Sequence, residues 1–292
     1  MKRLSLFAPA KLNLSLDILG KREDGYHLLR MLMQTVSLGD TLEIVRTSEP
    51  GIRFSCVNFP LPEGEENIAA IAAKRFLAET GLSAGLEIRL DKKTPSGAGM
   101  GGGSADGAAV LWGLNELLET ALPPPQLCRI GETIGADVPF CLTGGLALVE
   151  GIGERILSLP PLPECWFAVV KPELSIPTGP AFARSDRGEI RRRPDHARLL
   201  SDLQAGDWTG LASGLCNVFE EVVELPELAD LKRGFLQDGA AAALMTGSGS
   251  AVYGLFWEEG PACASMERLR RKGKQVFLCQ PVGTGPQILS AE

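Results

Sequence analysis

The hydrophobic pattern of the first eighty residues predicts strands followed by one helix. Alternation of apolar and polar residues over 4–16 is typical of a strand pair or one bent strand, and 42–45 and 52–56 are predicted as short strands. Asn67 then precedes apolar residues at helical spacing that end at Gly81. Asparagine favours the N-cap position and glycine the residue after a helix, so a helix is expected between them.

The next segment places a glycine-rich run between a strand and a helix. Leu86, Ile88 and Leu90 alternate with charged residues, which predicts a half-buried strand. Apolar residues at helical spacing follow from Ser104 onward. The glycines between these elements therefore lie just before the N-terminus of a helix.

The remaining pattern mixes helices and strands. Three prolines at 123–125 begin a predicted helix, after which Gly135 to Phe140 (GADVPF) leads into a strand near 146–149. Further elements are expected as a strand at 166–170, helices near Leu199 and Cys216, a strand at 251–256, a helix across Met266 and Leu269, and a strand through Val276 and Leu278. The order lacks a βαβαβ rhythm, which favours an α+β fold with two domains, 1–158 and 159–292.

Composition and charge limit the partners. The chain has 292 residues, 45% hydrophobic and 22% charged, with a formal net charge of −7. This charge repels a phosphate backbone, so no nucleic-acid partner is expected. The basic cluster Arg191 to Arg193 lies in a polar stretch with acids of its own and is interpreted as a solvated loop.

Cysteine and histidine usage indicates a reducing compartment and no histidine-rich metal site. Seven cysteines are scattered without a C-x-x-C pair, and His27 and His196 are the two histidines. Lys11 and Asn13 interrupt the apolar run near the start, which argues against a signal peptide. No segment approaches the roughly 20 apolar residues of a membrane span. We expect a cytoplasmic protein that does not enter a membrane.

The glycine-rich run is the strongest candidate for chemistry. Five glycines, Gly97, Gly99, Gly101, Gly102 and Gly103, precede the helix. Glycines let successive backbone N–H groups converge on an anion, and a helix N-terminus adds its positive dipole end. A flexible turn is the alternative interpretation. The run is neither a Walker A loop nor a Rossmann fingerprint, since no Gly-Lys-Ser/Thr follows and the glycine order differs.

Three further segments indicate a function only when they are considered together. PAKLNLSLDILGKREDGYHLL (9–29) puts Lys11 and Asn13 in a predicted strand, GADVPF contains Asp137, and MTGSGSAVYGLF (245–256) makes a tight glycine turn. In isolation, a lysine at a strand end is usually a surface group. An aspartate between a helix and a strand is usually a helix cap or a turn residue, and a glycine turn before a strand is usually part of a hairpin.

The four segments in this order resemble the GHMP kinase family, whose phosphate loop has the form P-x-x-x-G-L-G-S-S-A-A. Here the loop is PSGAGMGGGSADGAA, which departs from the relatives at Ala98, Met100 and Ala105. Segment 9–29 resembles the members of that family that phosphorylate a CDP-linked methylerythritol in the non-mevalonate isoprenoid pathway. The resemblance covers essentially the whole chain.

The resemblance implies a fold and an activity. The expected fold has an N-terminal domain like domain 2 of ribosomal protein S5, a ferredoxin-like C-terminal domain, and the active site in the cleft between them. The expected reaction is phosphorylation of the substrate's 2-hydroxyl by ATP with Mg²⁺. Asp137 would accept the hydroxyl proton, with Lys11 beside it.

The same resemblance implies binding residues. The nucleotide phosphates would lie against the loop formed by Pro95, Ser96, Gly97, Ala98, Gly99, Met100, Gly101, Gly102, Gly103, Ser104 and Ala105. Ser104, taken as first in its helix, is a candidate for ordering Mg²⁺ or a phosphate oxygen, with a helix cap as the alternative. Asn67 and Lys92 are candidates for adenine or ribose, although Asn67 equally caps its helix.

On the substrate side, the nucleobase would stack against aromatic residues. Tyr26 and His27 are the candidates, with Phe182 as a second aromatic face. His27 would hydrogen-bond the cytosine edge, against the alternative of a surface turn histidine. Asn13 and Thr178 are further substrate candidates.

Two alternative functions stay open at this level. Another kinase of the family, of the homoserine or mevalonate type, would share the loop and differ in segment 9–29. A non-catalytic nucleotide- or RNA-binding module is the second, since the N-terminal fold of these kinases resembles domains of ribosomal proteins. The sequence leaves the oligomeric state open.

Overall fold

The fold contains two β-sheets with helices packed against them. A computed structural model describes residues 2–58 and 67–292. The strands are β1 (Arg3–Lys21), β2 (His27–Thr47), β3 (Gly51–Cys56), β4 (Gly85–Asp91), β5 (Leu146–Gly151), β6 (Arg155–Ser158), β7 (Trp166–Lys171), β8 (Ala242–Met245), β9 (Val252–Phe256), β10 (Gln275–Cys279) and β11 (Gln287–Ala291). The helices are α1 (Ile68–Thr80), α2 (Gly102–Leu117), α3 (Pro124–Glu132), α4 (Val138–Thr143), α5 (Thr178–Ser185), α6 (His196–Ala205), α7 (Trp208–Gly214), α8 (Leu228–Gln237) and α9 (Glu259–Arg271), with a 3₁₀ helix at Val218–Glu221.

The larger sheet is built on two long antiparallel strands. β1 and β2 pair from Arg3 opposite Val45 to Lys21 opposite His27. The strand order is β11-β1-β2-β4-β3. Strand β5 pairs with the first half of β2, from Leu29 to Gln34, and with β6. Only β3 and β4 in this sheet run parallel. Helices α1 and α2 cover one face, where apolar side chains of β1, β2 and β4 form one core with them.

The smaller sheet is antiparallel throughout, in the order β10-β7-β9-β8. Helices α8 and α9 pack against it. The chain then returns to the larger sheet, because β11 pairs with β1. The division into 1–158 and 159–292 stays a prediction, and this last strand crosses back over it. No helix in the described part of the chain is long and apolar enough to cross a membrane.

Strongly periodic segments fold as predicted. The side chain of Asn67 accepts a hydrogen bond from the N–H of Ala69 at the start of α1, and Gly81 ends that helix with a left-handed φ of 68°. The predicted strands at 52–56 and 86–90 are β3 and β4. The Arg191 to Arg193 cluster lies in an exposed connection without regular structure, as expected of a solvated loop.

Three boundaries differ from the sequence prediction. Helix α2 begins at Gly102, so Ser104 is its third residue and not its first. GADVPF does not lead directly into a strand, because the short helix α4 intervenes before β5. Cys216 lies between α7 and the 3₁₀ helix, not in a helix. Sequence patterns and observed elements commonly differ by one or two residues at helix ends, as at the start of α2, and a helix as short as α4 has too few turns for periodicity to reveal it.

A buried ion cluster anchors the start of the glycine-rich run. The Lys92 ammonium lies 2.5 Å from Asp40 Oδ2 and 2.7 Å from Asp106 Oδ2. Asp40 Oδ1 also accepts hydrogen bonds from the N–H groups of Lys93 and Thr94. The cluster therefore ties β2, the end of β4 and α2 together. Burial raises the pKa of the Asp106 carboxyl well above its ordinary value, against the opposing effect of Lys92.

A buried histidine joins the two halves of the chain elsewhere. His196, at the start of α6, lies with its Nε2 2.8 Å from the Ser15 hydroxyl of β1. Burial, with a smaller contribution from Arg30, lowers the pKa of His196 to about 4. The imidazole is therefore neutral in the folded protein near neutral pH.

Replacing Lys92 with Met should lower the free energy of unfolding by about 3–5 kcal/mol, because two buried carboxylates lose their shared cation. Urea denaturation at pH 8 measures the loss. Lys93→Met is the matched control: it removes the same charge from an exposed neighbour and should change stability by less than about 0.5 kcal/mol. Equal stability of the two variants would contradict a structural role for the cluster.

Acidification should weaken the fold through His196. The folded pKa of about 4 lies below the ordinary 6.5, so between these values the unfolded state binds more protons and stability falls as pH falls. The loss reaches about 3 kcal/mol at most. Denaturation profiles of the wild type and His196→Gln from pH 7 to pH 4 measure it. The variant should show a shallower profile, and identical profiles would exclude this contribution.

Candidate active site

A cleft of about 600 Å³ lies between the two sheets. Its walls come from β1, the glycine-rich run and the start of α2, the turn before α4, helix α5, and the glycine turn after β8. These are the four segments that the sequence singled out, together with α5. The fold thus brings to one cavity residues that are far apart along the chain.

The glycine-rich run forms one wall with its backbone. Gly97, Gly99 and Gly101 have φ values of 62°, 75° and 67°, a region that favours glycine. Gly101 is the N-cap of α2, and no side chain caps this helix. The first-turn N–H groups therefore lie at the cleft as donors for an anion, where the helix dipole favours negative charge.

Close packing explains the glycines further. A Cβ on Gly99 would lie 2.2 Å from the Thr246 carbonyl oxygen, and one on Gly101 would lie 3.0 Å from the Lys11 side chain. The run is thus clamped between β1 and the turn after β8. Because Gly101 occupies the N-cap, Ser104 does not cap the helix, and it is one of the residues that line the cleft.

The predicted loop residues line the cleft with one exception. Pro95 to Ser104 all border it. Ala105 does not: its side chain is buried in the core of the larger sheet, and its N–H bonds to the Gly101 carbonyl within the helix. The helical turn directs this side chain away from the cavity, so the contact of Ala105 with the nucleotide stays a prediction that its position does not favour.

Lys11 and Asp137 meet at the cleft floor. Lys11 is almost fully buried in β1, and its ammonium lies 3.4 Å from Asp137 Oδ2. The Lys11 ammonium also donates to Asn13 Oδ1 at 2.6 Å. Asp137 precedes α4 without capping it, and its side chain is 30% exposed. The carboxylate therefore faces the cleft with room to receive a proton.

The nucleotide-side candidates border the same cavity. Asn67 lines the cleft and its side chain caps α1, so the cap is observed and a contact with adenine or ribose stays a prediction. Lys92 also lines the cleft, but its ammonium is held by Asp40 and Asp106. Lys92 is therefore a neutralised charge and not a free cation.

The aromatic candidates are arranged differently from the expectation. His27 and Phe182 stack on each other with ring centroids 4.5 Å apart, so no base fits between them. His27 Nε2 lies 2.6 Å from Asp186 Oδ1. Phe182 borders the cleft, whereas the Tyr26 side chain is 59% exposed and lies outside its wall. Phe182 thus packs against the His27 ring and does not form the opposite side of a pocket for the base.

Asn13 and Thr178 also face the cavity. Asn13 is fully buried, and its Nδ2 donates to the Met31 sulfur at 3.3 Å. The Thr178 hydroxyl lies 3.2 Å from the Ser248 hydroxyl across the cleft wall. Thr178 is exposed where a substrate could meet it, whereas the amide of Asn13 is already bonded to Lys11 and Met31.

Several residues at the site escaped the sequence analysis. They are Asp40, Asp106, Asp186, Thr246 and Ser248. Asp106 lies inside the loop motif, and an aspartate beside a predicted phosphate site could have suggested a nearby cation such as Lys92. Thr246 and Ser248 lie inside segment 245–256, where the sequence indicated the glycine turn but not these two side chains. Asp40 and Asp186 contact distant segments and leave no local pattern.

Two family models match the chain. "GHMP kinases N terminal domain" matches residues 67–145, which include the glycine-rich run and Asp137, and "GHMP kinases C terminal" matches residues 199–275. The N-terminal model thus spans the phosphate wall of the cleft.

Similar proteins and structures extend over nearly the whole chain. A 4-diphosphocytidyl-2-C-methyl-D-erythritol kinase of Caldicellulosiruptor bescii is 40% identical, covering 94% of this chain and 97% of the relative. One of Carboxydothermus hydrogenoformans is 43% identical, covering 97% and 99%. A crystal structure of 4-(cytidine 5'-diphospho)-2C-methyl-D-erythritol kinase matches with a TM-score of 0.80 at 33% identity, covering 96% of this chain and 100% of that one.

A homoserine kinase structure from Cytophaga hutchinsonii has a TM-score of 0.78 at 21% identity, covering 99% of this chain and 98% of that one, which shows a shared fold alone. The family's kinases take their phosphate from ATP, which agrees with a glycine-rich wall, a helix N-terminus and a Lys11–Asp137 pair in one cleft. The chain belongs to the GHMP kinase family.

Proposed function

We propose that this kinase transfers the γ-phosphoryl group of ATP to the 2-hydroxyl of 4-diphosphocytidyl-2-C-methyl-D-erythritol, giving the 2-phosphate and ADP in the non-mevalonate isoprenoid pathway. The observation that carries the reaction type is the Lys11–Asp137 pair at 3.4 Å beside the glycine wall. The choice of alcohol is supported by relatives that carry this substrate in their names at 40% and 43% identity.

Asp137 is the base in this proposal. Phosphoryl transfer requires mainly positioning and neutralisation of charge. The exposed edge of Asp137 receives the proton of the substrate hydroxyl, while the Lys11 ammonium stabilises negative charge on the transferring group. Asn13 holds the Lys11 ammonium in place.

The glycine wall and α2 hold the nucleotide phosphates. Their N–H groups need no rearrangement when an anion arrives, since the glycine conformations already direct the backbone into the cleft. Asn67 and the Lys92 region border the part of the cleft assigned to adenosine.

The donor set agrees with a Mg²⁺ ion carried by the nucleotide. Such ions commonly take one or two protein oxygens and complete their shell with phosphates and water. Ser104 lines the cleft, and no group of three His, Cys, Asp or Glu side chains suited to a metal exists among residues 2–58 and 67–292. Bound Mg²⁺ supplies neutralisation of phosphate charge, and Ser104 is the residue proposed to hold it.

The cytosine end of the substrate is proposed to meet His27 and Tyr26. The Phe182 ring and Asp186 fix the His27 imidazole in one orientation. The exposed Tyr26 ring is proposed to stack on the base, and His27, most of whose side chain is covered, is proposed to meet the edge of the base. Asn13 and Thr178 face the methylerythritol part.

We also propose a cytoplasmic location and no nucleic-acid partner. The seven cysteines are free thiols, as the reducing cytoplasm favours. The net charge of −7 disfavours binding to nucleic acid.

Asp137→Asn should lower kcat by about 10²- to 10⁴-fold, because the base is lost while the shape of the site is kept. The dissociation constant of ATP should change less than about threefold, since the glycine wall is untouched. Steady-state kinetics and calorimetry measure the two. Asp230→Asn, an exposed carboxylate, is the control, and a kcat like that of the control would remove Asp137 from the mechanism.

A substrate panel tests the choice of alcohol. ADP release is followed with the CDP-linked methylerythritol, homoserine and mevalonate, each with ATP and Mg²⁺, and phosphorus NMR locates the new ester. We expect kcat/KM for the CDP-linked alcohol to exceed the others by at least about 10³-fold, since buried polar groups left unpaired penalise the wrong substrate. Preference for homoserine or mevalonate would overturn the proposed substrate.

A further inference from the structure

We propose that Thr246 is a positioning residue for phosphoryl transfer, whose hydroxyl sets the spacing between the strand that carries Lys11 and the glycine wall. Thr246 directly follows β8 and begins the turn that leads to β9. Its side chain is fully buried behind the cleft and does not line it. The inference rests on the proposed function for its catalytic consequence.

The Thr246 hydroxyl connects two distant segments through a single atom. Thr246 Oγ1 accepts a hydrogen bond from the N–H of Asn13 at 2.9 Å and donates to the Gly99 carbonyl at 3.3 Å. Asn13 belongs to β1 of the larger sheet, Gly99 to the glycine wall, and Thr246 to the smaller sheet. This one hydroxyl therefore bridges β1 and the centre of the wall, in addition to the direct bond from the Lys11 N–H to the Met100 carbonyl.

The Asn13 end of the link controls Lys11. The side chain of Asn13 accepts the hydrogen bond of the Lys11 ammonium at 2.6 Å. The pairing of β1 with β2 shifts register between Asn13 and Ser15, so the ladder is irregular where Thr246 joins it. A movement of the Asn13 backbone thus moves the ammonium that faces Asp137.

The Gly99 end of the link controls the phosphate wall. Backbone hydrogen bonds already hold the residues on either side of Gly99: Ala251 N–H donates to the Ala98 carbonyl at 3.1 Å, and Lys11 N–H donates to the Met100 carbonyl at 2.9 Å. Between these two bonds, the Gly99 carbonyl accepts the hydrogen bond of the Thr246 hydroxyl. Loss of the hydroxyl would leave the wall attached but free to shift at its centre.

The turn itself is held independently of the hydroxyl. Asn217 Nδ2 donates to the carbonyls of Met245 and Gly247 at 2.7 and 2.8 Å, on both sides of Thr246. Thr246→Val keeps the branched shape and removes both hydroxyl bonds, whereas Thr246→Ser keeps the hydroxyl. The pair of variants therefore separates the hydrogen bonds from the packing.

The expected effect falls on kcat. Misplacement of reacting groups by about 1 Å can cost 10²-fold in rate. We expect Thr246→Val to lower kcat about 10- to 100-fold, with KM for ATP within about threefold. Thr246→Ser should stay within about threefold of the wild type. Ser250→Ala, which removes another buried hydroxyl of the same turn that bonds to Leu174, should do likewise.

Amide hydrogen exchange gives a readout that needs no substrate. The Asn13 N–H should exchange faster in Thr246→Val than in the wild type, and Thr246→Ser should restore protection. If Thr246→Val does not fold, as judged by circular dichroism, Thr246→Ala removes the same hydroxyl and takes its place in both measurements.

Three results would overturn the inference: a wild-type kcat in Thr246→Val, equal impairment of Thr246→Ser and Thr246→Val, or unchanged exchange at Asn13. Failure of the wild type to phosphorylate the CDP-linked alcohol would instead contradict the proposed function alone. The kcat comparison is then made with whichever alcohol of the panel the wild type phosphorylates, and Asn13 exchange is decisive if it phosphorylates none.

Discussion

The burial of the Lys11 ammonium in a central strand is the constraint on which the site depends. A buried ammonium without partners costs several kcal/mol, so it requires oxygen ligands. Asn13, two residues along β1, supplies one, and Asp137 supplies the opposite charge from the turn before α4. Asp137 reaches that position because α2, α3 and α4 pack together against the larger sheet. The buried Lys11 ammonium in β1 thus requires a carboxylate nearby, and the packing of these helices places Asp137 there.

Two buried lysines illustrate how partners decide between structure and chemistry. The Lys92 ammonium is already paired with two buried acidic side chains, Asp40 and Asp106, and so is not free to pair with a ligand. Lys11 meets one carboxylate, which is itself 30% exposed to the cleft. The ammonium of Lys11 can therefore act on both the carboxylate and an arriving phosphate. The same residue type stabilises the fold in one place and, in the proposed mechanism, serves the reaction in the other.

The phosphate wall depends on both sheets. Glycines allow the backbone to turn its N–H groups toward the cleft and to approach its neighbours closely, but they provide no rigidity of their own. Rigidity comes from contacts with β1 on one side and with the turn between β8 and β9 on the other. Donors that are fixed in advance favour a developing charge more than mobile ones do. The interface between the two sheets thus makes a flexible sequence into an ordered anion site.

Local sequence patterns were enough to predict the periodic elements and the glycine-rich run before α2, and the resemblance paired Lys11 with Asp137. Helix α1, with Asn67 and Gly81 at its ends, and strand β4 were predictable because caps and alternation act over a few neighbouring residues. The folded arrangement was needed to show that two acids hold the Lys92 ammonium, that His27 stacks on Phe182, and that Thr246 links β1 to the wall. These contacts join residues far apart in the chain, and no local pattern records which distant partner a side chain will meet.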